Sequence, residues 1–207
     1  MPQMLPAHEV PLVFVVDDDI SVRESLLPLI LFEGWQAVMC ASAQEFLSQP
    51  HVAVPSCLIL DISLPDLSGL DLQERISGER TEMPIIFITG YGDVPTSVRA
   101  MKAGAVEFLM KPFSDDVLVS AIRLAIERST AALKDHTTVQ AIRDCYASLS
   151  RREREVMALV VAGLLNKQAG FELGISEITV KAHRGQMMRK MKARSVPDLV
   201  NMNARLQ

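Results

Sequence analysis

Over residues 1–112 the chain alternates short apolar runs with segments of helical period, and that alternation leaves a parallel sheet wrapped by helices as the fold that accommodates it. Strands are expected at Leu12–Val16, Gln36–Cys40, Cys57–Leu60, Ile85–Thr89 and Glu107–Met110. Between them Ser21–Phe32, Ala43–Ser48, Leu70–Ser77 and Thr96–Ala103 read as helices, the first closing at Gly34 and the fourth at Gly104. Pro28 conflicts with the first helix, because an interior proline removes a hydrogen bond and costs about 3 kcal/mol. A kink or a late helix start is expected there.

From Phe113 to Ala162 there is neither Gly nor Pro, so the connection to the rest of the chain is not a floppy tether. A helix beginning near Ser114, with Val117, Leu118, Ala121, Ile122 and Ala125 on one face, is expected to run past Arg128. The organisation that follows is an α/β domain over 1–128, a helical linker over 129–147 and an all-α domain over 148–207. The last domain opens on Ser150-Arg151-Arg152-Glu153, a capping box, and its first helix ends at Gly163. Asn166–Leu173 follows as a short helix, then the turn Gly174-Ile175-Ser176, a third helix to about Arg194 and a fourth from Pro197. Two short helices joined by a glycine-containing turn form a helix-turn-helix pattern.

A length of 207 residues suits two domains, and 49% apolar with 22% charged residues excludes disorder, collagen and coiled coil. No apolar run reaches the roughly 18 residues that span a bilayer. The first residues, Met1 to Pro11, show neither a basic region nor a small-residue cleavage site, and three cysteines are an odd, widely spaced set, so a reduced, cytoplasmic protein without membrane insertion is expected. Charge is divided unevenly. Residues 1–128 hold 8 Lys+Arg against 18 Asp+Glu, whereas residues 149–207 hold 11 against 5. The acidic part suits a cation, and the basic tail suits a polyanion such as nucleic acid.

Asp17, Asp18 and Asp19 follow the first strand and Asp61 follows the third. In a parallel sheet whose order reverses beside the first strand, these two strand ends are neighbours and ligands sit outside them. Converging carboxylates call for a cation, and hard oxygen donors with room for water describe Mg²⁺. Thr89 and Lys111 end the fourth and fifth strands, which brings a hydroxyl and an ammonium to the same rim, as a phosphorylated carboxylate requires.

These residues resemble the response-regulator receiver domains at Val16-Asp17-Asp18, Leu60-Asp61-Ile62-Ser63-Leu64-Pro65-Asp66-Leu67-Ser68-Gly69, Ile88-Thr89-Gly90 and Lys111-Pro112-Phe113. The resemblance covers residues 10–128. It implies a five-stranded, flavodoxin-like parallel sheet of order 2-1-3-4-5 and phosphorylation of Asp61 by a sensor histidine kinase. It also implies Mg²⁺ held by Asp17, Asp18, Asp61 and the backbone carbonyl of Ser63, a switch pair of Thr89 and Phe108, and a cis Lys111-Pro112 bond. Asp19 is read as a helix cap. No turnover of an external substrate is expected. A rival reading takes Asp17, Asp19, Thr89, Lys111, Asp115 and Asp116 as a haloacid-dehalogenase-type phosphatase, but it leaves Asp61 and Gly69 without a role.

In the tail, Lys181, Arg184 and Met188 form a stripe opposite Val180, Met187 and Met191. The runs Leu149-Ser150-Arg151-Arg152-Glu153, Gly163 with Asn166-Lys167, Leu173-Gly174-Ile175-Ser176 and Thr179-Val180-Lys181 with His183-Arg184 are similar to the LuxR-type helix-turn-helix over 148–207. This resemblance implies that Lys181, Ala182 and Gly185 approach base edges while Thr179, Arg184 and Asn166 or Lys167 meet phosphate. His183 fits either a DNA contact or a half-buried structural role. Gly170 and Gly185 depart from helix-forming preference, each costing up to about 1 kcal/mol relative to Ala, so marginal stability of this domain is expected.

Together the two parts resemble the FixJ/NarL group, and Gly90-Tyr91-Gly92-Asp93-Val94-Pro95, Ala100-Met101-Lys102-Ala103-Gly104-Ala105 and Lys111-Pro112-Phe113 are nearest its FixJ branch. The implied partners are the kinase, double-stranded promoter DNA, RNA polymerase and a second copy of the chain on phosphorylation, with transcription activated. A signalling or phosphorelay module without DNA binding is the alternative, against which the basic tail argues.

Overall fold

The computed structural model describes residues 10–90 and 92–206; the reading of the first residues as leaderless, and Tyr91 within its motif, lie outside them. The chain forms two compact units that meet between Lys134 and Asp135.

In the first unit β1 (Leu12–Val16), β2 (Gln36–Cys40), β3 (Ser56–Asp61), β4 (Ile85–Thr89) and β5 (Glu107–Met110) form one parallel sheet of order β2-β1-β3-β4-β5. Helices α1 (Ile20–Phe32), α2 (Ala43–Leu47), α3 (Gly69–Ile76), α4 (Val94–Lys102) and α5 (Asp115–Ala147) follow the strands in turn. Side chains alternate across the strands, so Phe14, Val16, Leu58, Leu60 and Phe87 build one core with Phe46, Leu72 and Ala100 of α2, α3 and α4. Val13, Val15, Ile59, Ile86 and Ile88 build the other, with Ile30 of α1 and Leu118 and Ile122 of α5. Strands covered on both faces need continuous apolar runs, which is why β3 and β4 are buried throughout.

Of the two expectations at Pro28, the late helix start is corrected. The helix neither starts late nor stops there: α1 is capped by Asp19, whose side chain accepts the Ser21 N–H at 2.8 Å, and runs through the proline. Pro28 is exposed, so the carbonyl it leaves without a donor is open to water. β3 begins at Ser56, one residue earlier than its apolar run, because Ser56 pairs with Leu12 of β1, and its N–H is taken by the buried Ser129 hydroxyl on α5 at 2.9 Å.

The second unit contains α6 (Arg151–Val161), α7 (Asn166–Leu173), α8 (Glu177–Lys190) and α9 (Val196–Ala204). Val156, Met157 and Val160 of α6 close on Ala169, Val180, Met187 and Leu199, joined by Ile142 from the end of α5. The Ser150–Glu153 capping box is present, and Gly174 takes the left-handed conformation that turns α7 into α8. α8 stops at Lys190, short of the expected Arg194, because the chain reverses through Lys192 at φ 55° and Ala193 N–H returns to the Met188 carbonyl.

Gly170 and Gly185 prove to be different cases. A Cβ on Gly170 would stand 2.8 Å from the Ile175 backbone oxygen, whereas nothing lies within 4 Å of one on Gly185. Gly170 is therefore required for the close approach of α7 to the turn before α8. Gly170→Ala is expected to destabilise the unit by about 1–3 kcal/mol, and Gly185→Ala to stabilise it by up to about 1 kcal/mol. Denaturant titrations of the two variants, which propensity alone would score alike, check this.

Candidate functional site

The acidic rim is built by strand ends. Asp17 follows β1 and is fully buried, with Oδ1 accepting the Asp19 N–H at 2.9 Å. Asp61 closes β3 and is also buried, with Oδ1 accepting the Ser63 N–H at 3.0 Å. Lys111 follows β5, and its Nζ donates to Asp17 Oδ2 at 2.6 Å and to Asp61 Oδ2 at 2.8 Å. Asp18 is exposed, yet carboxylate oxygens of Asp17, Asp18 and Asp61 all lie within 4.8 Å of one another. Burial pushes the Asp17 carboxyl above its usual range, against the opposing pull of Lys111 and the Asp19 N–H. Burial disfavours the Lys111 charge, but the hydrogen bonds and charges of Asp17 and Asp61 outweigh it and hold the ammonium's pKa above its ordinary value. Three carboxylates against one ammonium leave a site short of positive charge and composed of hard oxygen donors, which fits Mg²⁺.

Thr89 is fully buried at the end of β4, and the half-buried Phe108 ring lies 6.4 Å from Phe87. Gly92 ties the two together: a Cβ there would meet the Phe108 ring at 3.1 Å and the Thr89 methyl at 3.3 Å. The Lys111-Pro112 peptide is cis, as the resemblance implied. Asp115 and Asp116 open α5 and are exposed, while the Lys111 ammonium is committed to Asp17 and Asp61, which removes the grouping that the phosphatase reading needs.

Two residues of this region escaped the sequence reading. Arg23 on α1 donates from Nη1 to the backbone carbonyls of Asp17 at 2.5 Å and Asp18 at 3.0 Å, fixing the loop that carries them. No side-chain pattern marks a residue that grips carbonyls. Asp66 accepts the N–H groups of Gln44 at 2.8 Å and Ala43 at 3.3 Å, and these bonds, that of Gln44 first, lower its pKa. Its place in the motif is therefore a tie to α2.

In the second unit Asn166 is the first residue of α7, and its Oδ1 accepts from Arg184 Nη1 at 2.8 Å, so the two expected phosphate contacts are paired with each other. Lys167, Lys181, Ala182 and Gly185 are exposed, with Lys181 4.0 Å from Glu177. The Thr179 hydroxyl shares a 2.8 Å hydrogen bond with that of Ser176. His183 is half-buried, and its Nδ1 is sealed from solvent with no hydrogen-bond partner among the described residues, which turns that edge of the ring away from any ligand.

Glu153 is buried, and its Oε2 accepts from Lys190 Nζ at 2.6 Å and from the Ser150 N–H at 2.7 Å. Lys190 and that N–H hold its carboxyl below the usual range. A lowered pKa contributes stability that is full above the unfolded value, about 4.3, and lost as pH falls through the folded one. Amides of α6 and α8 are thus expected to lose protection in acid before those of the sheet, and Glu153→Gln to flatten that dependence. NMR-detected melting across the acid range measures it.

Comparison with known proteins gives two matches on this chain: the response regulator receiver domain over residues 13–123, and the luxR family of bacterial regulatory proteins over residues 147–203. Nodulation protein W of Bradyrhizobium diazoefficiens is 49% identical over 94% of this chain and 86% of its own. The transcriptional regulatory protein FixJ of Rhizobium meliloti is 44% identical over 92% and 93%. Among solved structures, response regulator StyR superposes with a TM-score of 0.82 at 41% identity, covering 95% of this chain and 99% of its own. Full-length FixJ from B. japonicum gives a TM-score of 0.55 at 39% identity over 94% and 96%. Among the described residues no helix is long and apolar enough to cross a membrane.

Proposed function

We propose a mechanism from the premise that this chain belongs to the response regulators that join a receiver to a LuxR-type DNA-binding domain, and is a transcriptional regulator of that family. The observation that carries it is the Lys111 ammonium held between Asp17 and Asp61. Asp61 is the phosphoacceptor, since it is the carboxylate flanked both by Lys111 and by the Asp17 and Asp18 pair. An Asp61 oxygen attacks the phosphorus of a phosphohistidine on a sensor kinase; the O–P bond forms, the N–P bond breaks and its electron pair returns to the imidazole. Asp17, Asp18, Asp61 and the Ser63 carbonyl would hold Mg²⁺, which supplies positive charge to the phosphoryl oxygens. Lys111 exchanges its bond to Asp61 for one to the phosphoryl group.

Thr89 then turns its hydroxyl to that group, and Phe108 fills the space vacated beside Gly92. The repacking reshapes the face of α4, β5 and α5, where Val98, Met101, Met110 and Val117 are exposed, and favours a dimer through it. Two linked helix-turn-helix units read paired half-sites of promoter DNA with a gain in effective concentration. In the cytoplasm the bound dimer contacts RNA polymerase and activates transcription.

Analytical ultracentrifugation and gel shifts test the whole sequence. With beryllofluoride and Mg²⁺ the protein is expected to dimerise and to bind selected DNA more tightly, and Thr89→Ala to do neither. Lys181→Ala should lose more affinity on selected than on random DNA, whereas Arg184→Ala loses on both and lowers the salt slope by about one unit. A monomer under activating conditions, or a dimerising Thr89→Ala, overturns the mechanism.

A further inference from the structure

We infer that Ile178 reads the 5-methyl group of a thymine in the major groove and so sets a base preference of the recognition helix; this rests on the DNA-binding reading above. α8 turns about 100° per residue, so Ile178, Ala182, Gly185 and Arg189 fall within an arc of about 60° directly opposite the buried Val180 and Met187. Lys181, Arg184 and Met188, which the sequence reading set opposite Val180 and Met187, lie instead to one flank of that arc, with Arg184 and Met188 half-buried.

The middle of the arc is almost bare. Gly185 has open space where a side chain would stand, and Ala182 offers a single methyl. Ile178, 81% exposed, is the large side chain at its N-terminal end, the end of a recognition helix that reaches base edges. A shaved surface behind it lets the α8 backbone come close to the groove floor, which brings Ile178 against whatever lines it.

The chemistry of that contact is restricted. Isoleucine neither donates nor accepts hydrogen bonds, and the apolar feature of the major groove is the thymine methyl. Its β-branched side chain has few rotamers to lose on docking. Lys181 stands beside it as a donor suited to guanine O6 and N7, so the face favours a half-site in which a guanine neighbours a thymine.

The test uses the full chain and a duplex it enriches from a random pool. Each thymine is replaced in turn by deoxyuracil, which lacks only the methyl. One position per half-site is expected to weaken wild type about fourfold, the worth of burying one methyl. Ile178→Ala should bind the thymine duplex at least as weakly as wild type binds that deoxyuracil duplex, and should be indifferent to the replacement; Ile178→Val should stay sensitive to it. Because Ile178 is exposed, Ile178→Ala should melt with wild type. The inference fails if deoxyuracil costs Ile178→Ala as much as wild type at every position, or costs wild type nothing anywhere. If wild type enriches no sequence, the DNA-binding reading falls and takes the inference with it, an outcome distinct from enrichment without methyl sensitivity.

Discussion

Asp61→Asn is expected to hold no phosphate after treatment with acetyl phosphate and Mg²⁺, whereas the wild-type chain is labelled. The amide keeps an oxygen for the Ser63 N–H, which Asp61 Oδ1 now accepts at 3.0 Å, so the loop should keep its shape. The substitution removes the nucleophilic carboxylate and one of the two partners of Lys111. Asp17 is buried with one oxygen on Lys111 and the other on the Asp19 N–H, which leaves it poorly placed to replace Asp61. Asp66 has its oxygens on the Ala43 and Gln44 N–H groups. Chelation of Mg²⁺ should cause the same loss in wild type. Label retained by Asp61→Asn, as read by intact-protein mass, would place the acceptor elsewhere.

Gly69→Ala should damage the same site without touching a charged group. A Cβ on Gly69 would collide with the Asp61 backbone oxygen and stand 3.0 Å from the Ile62 Cα. Backbone cannot rotate aside as a side chain can, so either the end of β3 or the start of α3 must move. The 2.9 Å bond from the Gly69 N–H to the Ile62 carbonyl is put at risk with it. A loss of about 1–3 kcal/mol is expected, with phosphorylation slowed because Asp61 shifts relative to Lys111. Gly78→Ala is the control, since nothing lies within 4 Å of a Cβ there. Urea titration and the rate of labelling by acetyl phosphate measure the two effects. A Gly69→Ala protein as stable and as fast as wild type would mean that the contact yields at no cost.

Much of this protein is written locally in its chain. β1, β2, β4 and β5 have the bounds read from the sequence, and in β1 and β4 this follows because a strand buried on both faces admits few polar residues. Caps at Asp19 and Ser150 and turns at Gly34, Gly104 and Gly174 were readable for a similar reason, since each depends on residues a few positions away. The acidic rim was readable too: a parallel sheet sets every strand end on one side, so Asp17, Asp61, Thr89 and Lys111 had to arrive together once the strands were placed.

Tertiary structure decided what depends on distance and on backbone. Arg23 acts through carbonyls, and the Asn166–Arg184 and Glu153–Lys190 pairs join residues on different helices, so no spacing announces them. Gly69 was legible as the end of a motif and Gly170 as a costly helix residue, but only the packed chain shows a backbone oxygen where a Cβ would have to be. Gly185 and Ile178 are the converse, since nothing lies where a Gly185 Cβ would stand and Ile178 is exposed. A sequence states which side chains are present; it does not state the volume left between elements, and that volume is set by how the helices and the sheet pack.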